Sequence, residues 1–453
     1  MKNAEVDKLV QWDAGHIIHA IIPIGQHPGI IVDSAEGIIF RDLQGKEYLD
    51  GSSQLTCVNL GYGQQEIMKA AFEQMKTLPY CTTFYGHGNQ PLIECAKKLS
   101  LLTPGDLDFF HFTSGGSEST ETAYRLARLY WNAQGKAKFK IISLWDSYHG
   151  INMGSLSADG LGRGFFSRGA GPLNSGFLHI PSYNCYHCML GLKYPQCEVG
   201  CARFLEETIV KEGSDTVAAF IAEPEQGTAG GFPPPAEYWP MVREICSKNN
   251  VLLIADEVMT GFGRTGKMFA VEHWNVVPDL MTIAKGITSA YLPMGAVAMR
   301  HKVFEGLKGQ VFASYTYSGH PVCAAAAVIA MEIYERDGIV ENAAKMGEYA
   351  LKRMRSEILP FPHIGDISGL GLMIGIEIVA DKNTHKPFPP ELNILQKVQK
   401  QAFEAGLFMR AAGSRMAPGD RLSFSPPLTI KQAEIDRIID ILIPILSGIN
   451  PDK

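Results

Sequence analysis

Residues 109–131 read FFHFTSGGSESTETAYRLARLYW, and this stretch decides the fold class. The aromatic-rich run at 109–112 predicts a strand, a Gly-rich turn follows from Ser114 to Ser117, and apolar residues then recur at the spacing of a helix face. Unbonded backbone N–H groups and the helix dipole favour an anion at a helix start, so the turn is a candidate phosphate site. The alternative is an ordinary turn in which Ser117 caps the helix.

Five more apolar runs follow at helix-length intervals, which favours βαβ units around a mostly parallel sheet. Residues 30–50 predict a small antiparallel meander with turns at Glu36-Gly37 and Gln44-Gly45. From about 330 the pattern predicts long amphipathic helices around one strand pair, 371–379 and 421–425, and residues 160–200 read as a long excursion from the sheet. The five apolar runs are 140–145, 217–222, 251–256, 280–285 and 295–299.

Composition excludes several classes of protein. The 453 residues are 46% apolar, and 41 Lys and Arg against 47 Asp and Glu give a net charge of −6, without a basic stripe for nucleic acid. The longest nearly apolar run, 322–334, is interrupted by Glu332 and is too short to span a bilayer. No signal-peptide pattern is present, and nine cysteines do not form a disulfide framework, so we expect a cytoplasmic protein without membrane or nucleic-acid partners.

Two further residues are candidates for chemistry. Asp256 ends an apolar strand, where α/β folds place ligand-binding groups, although a strand-end cap is the alternative. Lys285 ends another apolar run and precedes Gly. Apolar surroundings lower the pKa of an amine and free it as a nucleophile, as in lysines that form Schiff bases. The alternative is a lysine whose stem is buried and whose charge reaches water.

A phosphate cradle, a strand-end acid and a Schiff-base lysine are together the parts that hold pyridoxal phosphate (PLP). With these parts the chain resembles the class III aminotransferases, which are fold type I PLP enzymes, and looks closest to their ω-amino acid/amine:pyruvate branch. The motifs that carry the resemblance are GKEYLDG (45–51), VNLGYG (58–63), TSGGSE (113–118), SYHG (147–150), AEPEQG (222–227), ADEVMTGFGRTG (255–266), the lysine of AKG (284–286), TYSGHP (316–321), GLMIGIE (371–377) and SPPLT (425–429).

The resemblance implies an α/β fold in which a large domain with a mostly parallel seven-stranded sheet carries a smaller α+β domain built from both termini. We place an N-terminal part of the small domain at 1–65, the large PLP-binding domain at 66–328 and the C-terminal part at 329–453. The implied homodimer shares its active sites between subunits, and the choice between dimer and tetramer stays open.

The resemblance also implies roles for residues that match its motifs. Lys285 is the catalytic residue, which binds the cofactor covalently and moves the proton. Thr316 would reach the phosphate of the neighbouring subunit, and Glu223 would lie near the cofactor oxygen and the substrate. The remaining cofactor residues are Gly116 and Ser117 at the phosphate, Asp256 at the ring nitrogen, and Val258 and Tyr148 on the two ring faces.

The substrate pocket departs from the ornithine-type branch. That branch has an arginine before the aromatic-x-Pro-Pro motif, where this chain has Ser423. Arg410, which we expect on a flexible loop between glycines, is the candidate carboxylate partner, whereas Arg415 and Arg421 are interpreted as surface charges. Thr56, Phe84 and Tyr85 complete the predicted pocket.

The implied reaction moves an amino group from an ω-amino acid or primary amine to a keto acid, with pyruvate favoured, in two half-reactions on one site. A PLP-dependent racemase, epimerase or aminomutase on the same fold is the alternative, and a non-catalytic PLP-binding protein is a more distant one. No metal enters this chemistry. The spacing of Cys185, Cys188, Cys197 and Cys201, with His179 and His187 nearby, leaves a structural metal as an alternative to ordinary thiols.

Overall fold

The protein is described by a computed structural model that covers residues 3–26, 29–161, 167, 169–412 and 419–450. Its strands are β1 (Val32–Glu36), β2 (Ile39–Asp42), β3 (Glu47–Asp50), β4 (Phe109–Thr113), β5 (Lys140–Leu144), β6 (Phe177–Ile180), β7 (Val217–Ala222), β8 (Leu252–Asp256), β9 (Leu280–Ile283), β10 (Gly295–Met299), β11 (Ile364–Leu370), β12 (Met373–Ile378), β13 (Leu407–Phe408), β14 (Arg410–Ala412) and β15 (Asp420–Phe424).

The helices alternate with these strands in the middle of the chain, and two of them, α10 and α11, follow one another directly after residue 320. They are α1 (Asn3–His16), α2 (Ser53–Thr56), α3 (Gln65–Thr77), α4 (Gln90–Leu102), α5 (Gly116–Ala133), α6 (Met153–Ala158), α7 (Gly200–Glu212), α8 (Tyr238–Lys248), α9 (His301–Leu307), α10 (Pro321–Arg336), α11 (Ile339–Glu357), α12 (Ile394–Glu404) and α13 (Gln432–Ser447). Short 3₁₀ turns lie at Phe84–Gly86, Ala270–Trp274, Lys285–Ile287 and Pro390–Leu392.

The large sheet has the strand order β4-β10-β9-β8-β7-β5-β6 in the described residues. Only β10 in it runs antiparallel to its neighbours, so the mostly parallel seven-stranded sheet is confirmed. Every residue of β7 is buried, as expected for a central strand covered by helices on both faces. All the strands predicted for this sheet are present, and β6 is an additional edge strand inside the excursion at 160–200.

Two smaller sheets are built from the ends of the chain. The predicted meander forms β1-β2-β3, and β13 pairs with β3 in parallel, so the two termini share one sheet. The predicted C-terminal strand pair is confirmed as β12 and β15, but β11 and β14 extend it to a four-stranded antiparallel sheet, β11-β12-β15-β14, and these two strands were not predicted. Most of β11 is only half-buried and carries Gly, Asp and Ser, so its sequence lacks a strong apolar signal.

The domain limits at 65/66 and 328/329 stay predictions, and α10 continues through the second of them. Within the described ranges, no helix combines the length and the apolar character needed to cross a membrane.

Candidate active site

A cavity of about 420 Å³ opens where β8 and the turn after β9 meet the start of α5. This is the carboxyl edge of the parallel strands, where open α/β sheets bind ligands. Its volume is in the range of small-molecule sites. The cavity is lined by Ser114, Gly115, Gly116, Ser117, Tyr148, His149, Gly150, Glu223, Thr228, Asp256, Val258, Met259, Ala284, Lys285, Thr288, Ala290, Leu292, Pro293 and Met294.

One wall is the predicted phosphate cradle. Helix α5 begins at Gly116, and Ser117 Oγ accepts a hydrogen bond from the backbone N–H of Ile151 at 3.1 Å. A Cβ on Gly116 would lie 2.7 Å from Val258 Cγ1, and one on Gly150 would overlap Ser117. Glycine therefore keeps the backbone open at the helix start, where unbonded N–H groups attract an anion.

Asp256 lies at the end of β8 and is 3% exposed. Its Oδ2 lies 2.6 Å from His149 Nδ1, and its Oδ1 accepts from Thr282 Oγ1 at 3.0 Å and from the Val258 N–H at 3.1 Å. Three hydrogen bonds therefore hold this buried carboxyl group in one orientation.

His149 is the site residue that the sequence reasoning missed. Burial by itself lowers the pKa of His149, but its hydrogen bond to Asp256 and the Asp256 charge outweigh burial and raise the pKa. His149 Nδ1 thus holds the Asp256 carboxyl group, and the backbone N–H of His149 donates to Asp159 Oδ1 at 2.5 Å. The SYHG motif, in which His149 follows Tyr148, was the available signal.

Lys285 lines the cavity on the turn after β9. Burial lowers the pKa of Lys285 to about 8, and the Arg410 charge adds to this effect. Its φ of 45° is in the left-handed region, which non-glycine residues enter at a cost of roughly 1–3 kcal/mol. The lysine is therefore held in an unusual backbone conformation with an amine that is easily deprotonated.

Glu223 lines the same cavity and contacts the segment that carries Tyr148. Its Oε1 accepts from the Tyr148 N–H and its Oε2 from the Gly227 N–H, both at 3.0 Å. Burial raises the pKa of Glu223 to about 7. Its hydrogen bonds fix the segment that carries Tyr148 at the cavity wall.

The structure places Arg410 on a strand, so the expectation of a flexible loop was wrong at this residue. Its backbone N–H donates to Ser52 Oγ at 2.8 Å, and its Nη1 donates to Thr56 Oγ1 at 3.1 Å. Burial lowers the pKa of Arg410, and neither it nor Thr56 is a wall residue of the cavity. Strand pairing sets Arg410 opposite Ser423, the position at which the ornithine-type branch has its arginine. The two positions from which an arginine could reach a substrate carboxylate are therefore cross-strand neighbours.

The rival arginines have different outcomes. Arg421 is 2% exposed and forms ion pairs with Glu377 at 3.2 Å and Asp366 at 3.4 Å, so its interpretation as a surface charge was wrong. Its acidic partners come from β11 and β12, and only folding brings them together. Arg415 lies outside the described residues.

Three predicted site residues lie away from the cavity of their own chain. Tyr85 is 93% exposed, Phe84 is half-buried and Thr316 is exposed. None of them lines the cavity, although Tyr80 holds the Thr316 carbonyl oxygen by a 2.8 Å hydrogen bond.

The four cysteines of the excursion, Cys185, Cys188, Cys197 and Cys201, line one small cavity as free thiols. In the part of the chain that the structure describes, no group of three or more His, Cys, Asp or Glu residues is arranged to hold a metal ion.

Comparison with known proteins matches this geometry to a family. The protein-family model described as "Aminotransferase class-III" matches residues 22–446 of the sequence, so the chain belongs to the class III aminotransferases. The predicted resemblance, the fold class and the enzymatic class are thereby confirmed. Enzymes of this family depend on PLP and transfer an amino group from an amine donor to a keto acid.

Individual relatives span the whole chain. The putrescine–pyruvate aminotransferase of Pseudomonas aeruginosa is 36% identical over 444 residues, which cover 96% of this chain and 95% of that protein. A thermostable (S)-enantioselective omega-transaminase from Thermomicrobium roseum has a TM-score of 0.92 and 40% identity, covering 97% of this chain and 98% of that one. An amine transaminase from an uncultivated Pseudomonas species, in a PLP-bound form, has a TM-score of 0.88 and 33% identity, covering 95% and 98%.

Proposed function

We propose that this chain is a PLP-dependent aminotransferase that moves an amino group from an ω-amino acid or a primary amine to a keto acid, with pyruvate as the favoured acceptor. The observation that carries the proposal is the convergence of Lys285, Asp256 and the Gly116–Ser117 cradle on one cavity. Two relatives, one named as a putrescine–pyruvate aminotransferase and one as an amine transaminase, support the choice of donor class.

The residues present fit PLP. The start of α5 offers N–H groups and the Ser117 hydroxyl to a phosphate, and Asp256 offers an anion to a pyridine nitrogen. Val258 and Tyr148 are cavity walls that suit the two ring faces, and Lys285 supplies the amine for covalent attachment. When bound, PLP supplies an electron sink for the carbon that loses a proton.

Lys285 is proposed to move the proton. A general base must be neutral before it accepts a proton, and a pKa of about 8 leaves a useful neutral fraction near neutral pH. His149 holds the Asp256 carboxyl group in place, and Glu223 holds the Tyr148 backbone. These three residues therefore orient and polarise the site while Lys285 acts.

Arg410 is proposed to bind the substrate carboxylate. Its partly buried guanidinium forms no ion pair with any carboxylate of the described ranges. A desolvated cation without an anionic partner attracts one, and a guanidinium matches the two oxygens of a carboxylate. The effect of its charge on Lys285 and on Tyr148 supports its position near the reacting groups.

A homodimer with shared sites is part of the proposal, with the tetramer left open. Thr316 matches a family motif and, like Tyr85, is exposed, while Phe84 is half-buried. None of the three lines the cavity of its own chain, which supports a role in the site of a second copy. The cytoplasmic location stays a prediction.

The test is an exchange assay on the purified, PLP-loaded protein. β-Alanine, γ-aminobutyrate, putrescine and an aryl-alkyl amine are each offered with pyruvate, and alanine formation is measured. Alanine with at least one donor is the expected result. Racemised or isomerised amino acid without alanine would favour the racemase or aminomutase alternative, and bound PLP without any turnover would favour the non-catalytic one.

A further inference from the structure

A chain of buried hydroxyl groups ends on Arg410. The Arg410 Nη1 donates to Thr56 Oγ1 at 3.1 Å, and Thr56 Oγ1 lies 3.1 Å from Ser425 Oγ. Ser425 Oγ in turn donates to the Ser52 carbonyl oxygen at 3.5 Å. Thr56 and Ser425 are each 1% exposed, so water does not compete for these bonds.

The direction of the hydrogen bond is fixed at the Arg410 end of this chain. A guanidinium can only donate, so Thr56 Oγ1 accepts from Arg410. Either hydroxyl can be the donor between Thr56 and Ser425, and Ser425 Oγ can also donate to the Ser52 carbonyl oxygen. The Arg410 Nη1 therefore has a defined, buried acceptor.

The backbone that presents Thr56 is strained and firmly held. Ser53, Gln54 and Thr56 have φ values of 46°, 56° and 55°, in the left-handed region that L-residues rarely adopt. The Gln54 N–H donates to Asp50 at 3.0 Å, and the buried Arg264 donates to Ser53 Oγ at 3.1 Å. Strain of this kind persists only where the surroundings enforce it, so the position of the Thr56 hydroxyl is preset.

We propose that Thr56, backed by Ser425, is a positioning residue that holds the Arg410 guanidinium ready for the carboxylate of the keto acid. This inference rests on the proposed function, because it assigns the acceptor half-reaction to Arg410. No other side chain in the described ranges accepts a hydrogen bond from this guanidinium, so its remaining N–H groups are left for the substrate. Thr56 thereby makes the site selective for acceptors that carry a carboxylate.

The test compares two acceptors on PLP-loaded protein. Pyruvate carries a carboxylate, and propanal does not. Thr56→Val keeps the shape and removes the hydroxyl, so we expect the KM for pyruvate to rise about 10-fold while the parameters for propanal stay within about twofold of wild type. Ser425→Ala should raise the KM for pyruvate in the same direction. Thr56→Ser keeps the hydroxyl and should restore the KM for pyruvate.

Controls separate positioning from folding. Thr103→Val removes another buried threonine hydroxyl, one that donates to Leu99 and Leu107 outside the site, and should leave both acceptors unaffected. Equal losses for pyruvate and propanal in Thr56→Val, or the same loss in Thr56→Ser, would overturn the proposal. So would a wild-type KM for pyruvate in Thr56→Val.

A binding measurement keeps this inference separate from the proposed function. Borohydride-reduced holoenzyme cannot turn over, so calorimetric titration with pyruvate reports carboxylate binding alone. We expect about 10-fold weaker binding in Thr56→Val. If the wild-type protein forms no alanine from any amine but Thr56→Val still binds pyruvate more weakly, the proposed function is removed and the role of Thr56 is kept. Equal binding of pyruvate by wild type and Thr56→Val would remove the role of Thr56.

Discussion

Replacing Asp256 by asparagine keeps the shape of the side chain and removes its negative charge. An amide oxygen can still accept the bonds from Thr282 Oγ1 (3.0 Å) and the Val258 N–H (3.1 Å), so we expect the fold and cofactor binding to survive. The 2.6 Å hydrogen bond between the carboxylate and His149 Nδ1 is lost, and with it the negative charge that we propose faces the ring nitrogen.

The magnitude follows from the burial of this group. A hydrogen bond to a charged group contributes about 1.5–3 kcal/mol, and removing one preorganised group from an active site raises the barrier by about 2.7–4 kcal/mol. Because Asp256 is 3% exposed, water cannot replace the lost charge, and the upper range applies. At about 1.4 kcal/mol per factor of ten, proton removal should slow by ~100–1000-fold.

The assay is a stopped-flow single turnover of PLP-loaded protein with an amine donor, followed by cofactor absorbance. The matched control is Glu257→Gln, because Glu257 is the adjacent buried acid and bonds the Val271 N–H at 2.8 Å and the Thr260 hydroxyl, away from the cavity. A wild-type rate in Asp256→Asn, or an equal loss in Glu257→Gln, would refute the reasoning.

Three further predictions concern the charged groups. Attachment of added PLP to cofactor-free protein should speed up as pH rises through about 8 and then level off, because only the neutral Lys285 amine attacks; a rate that is constant or falls across this range would contradict the lowered pKa. Arg410→Ala should cost about 2–3 kcal/mol, or ~30–150-fold in kcat/KM for pyruvate, and spare a carboxylate-free amine; equal losses in the two half-reactions would place the carboxylate elsewhere. Arg421→Met removes the arginine partner of the buried Glu377, which keeps its 2.8 Å contact with His187, and should lower the free energy of unfolding by about 3 kcal/mol in urea titrations; a change below about 1 kcal/mol would show that the ion pair contributes little.

Local pattern was enough to predict six of the seven strands of the large sheet and the positions of Asp256 and Lys285 at its carboxyl edge. β7 is apolar at every position because both of its faces are covered, and Asp256 and Lys285 end apolar runs. Such signals lie within one stretch of sequence. β11 was missed because it is half-exposed and its Gly, Asp and Ser residues resemble a turn.

Residues whose role depends on distant partners could not be predicted in the same way. Arg421 looks like a surface charge until β11 and β12 bring Asp366 and Glu377 to it. Arg410 lies between Gly406 and Gly413 in the sequence and was expected on a loop, but pairing with β15 makes it part of a strand. His149 acquires its role from Asp256, which is 107 positions away in the chain.

The central claim is that Lys285 carries the cofactor. The most direct measurement is to reduce the PLP-loaded protein with borohydride, digest it and locate the pyridoxyl group by mass spectrometry, with Lys285→Ala as the control. We expect a wild-type protein that is yellow before reduction and carries the pyridoxyl label at Lys285 after it. We expect the Lys285→Ala variant to fold, lack the label and have lost nearly all turnover. A label on another lysine, or an active and labelled Lys285→Ala protein, would contradict it.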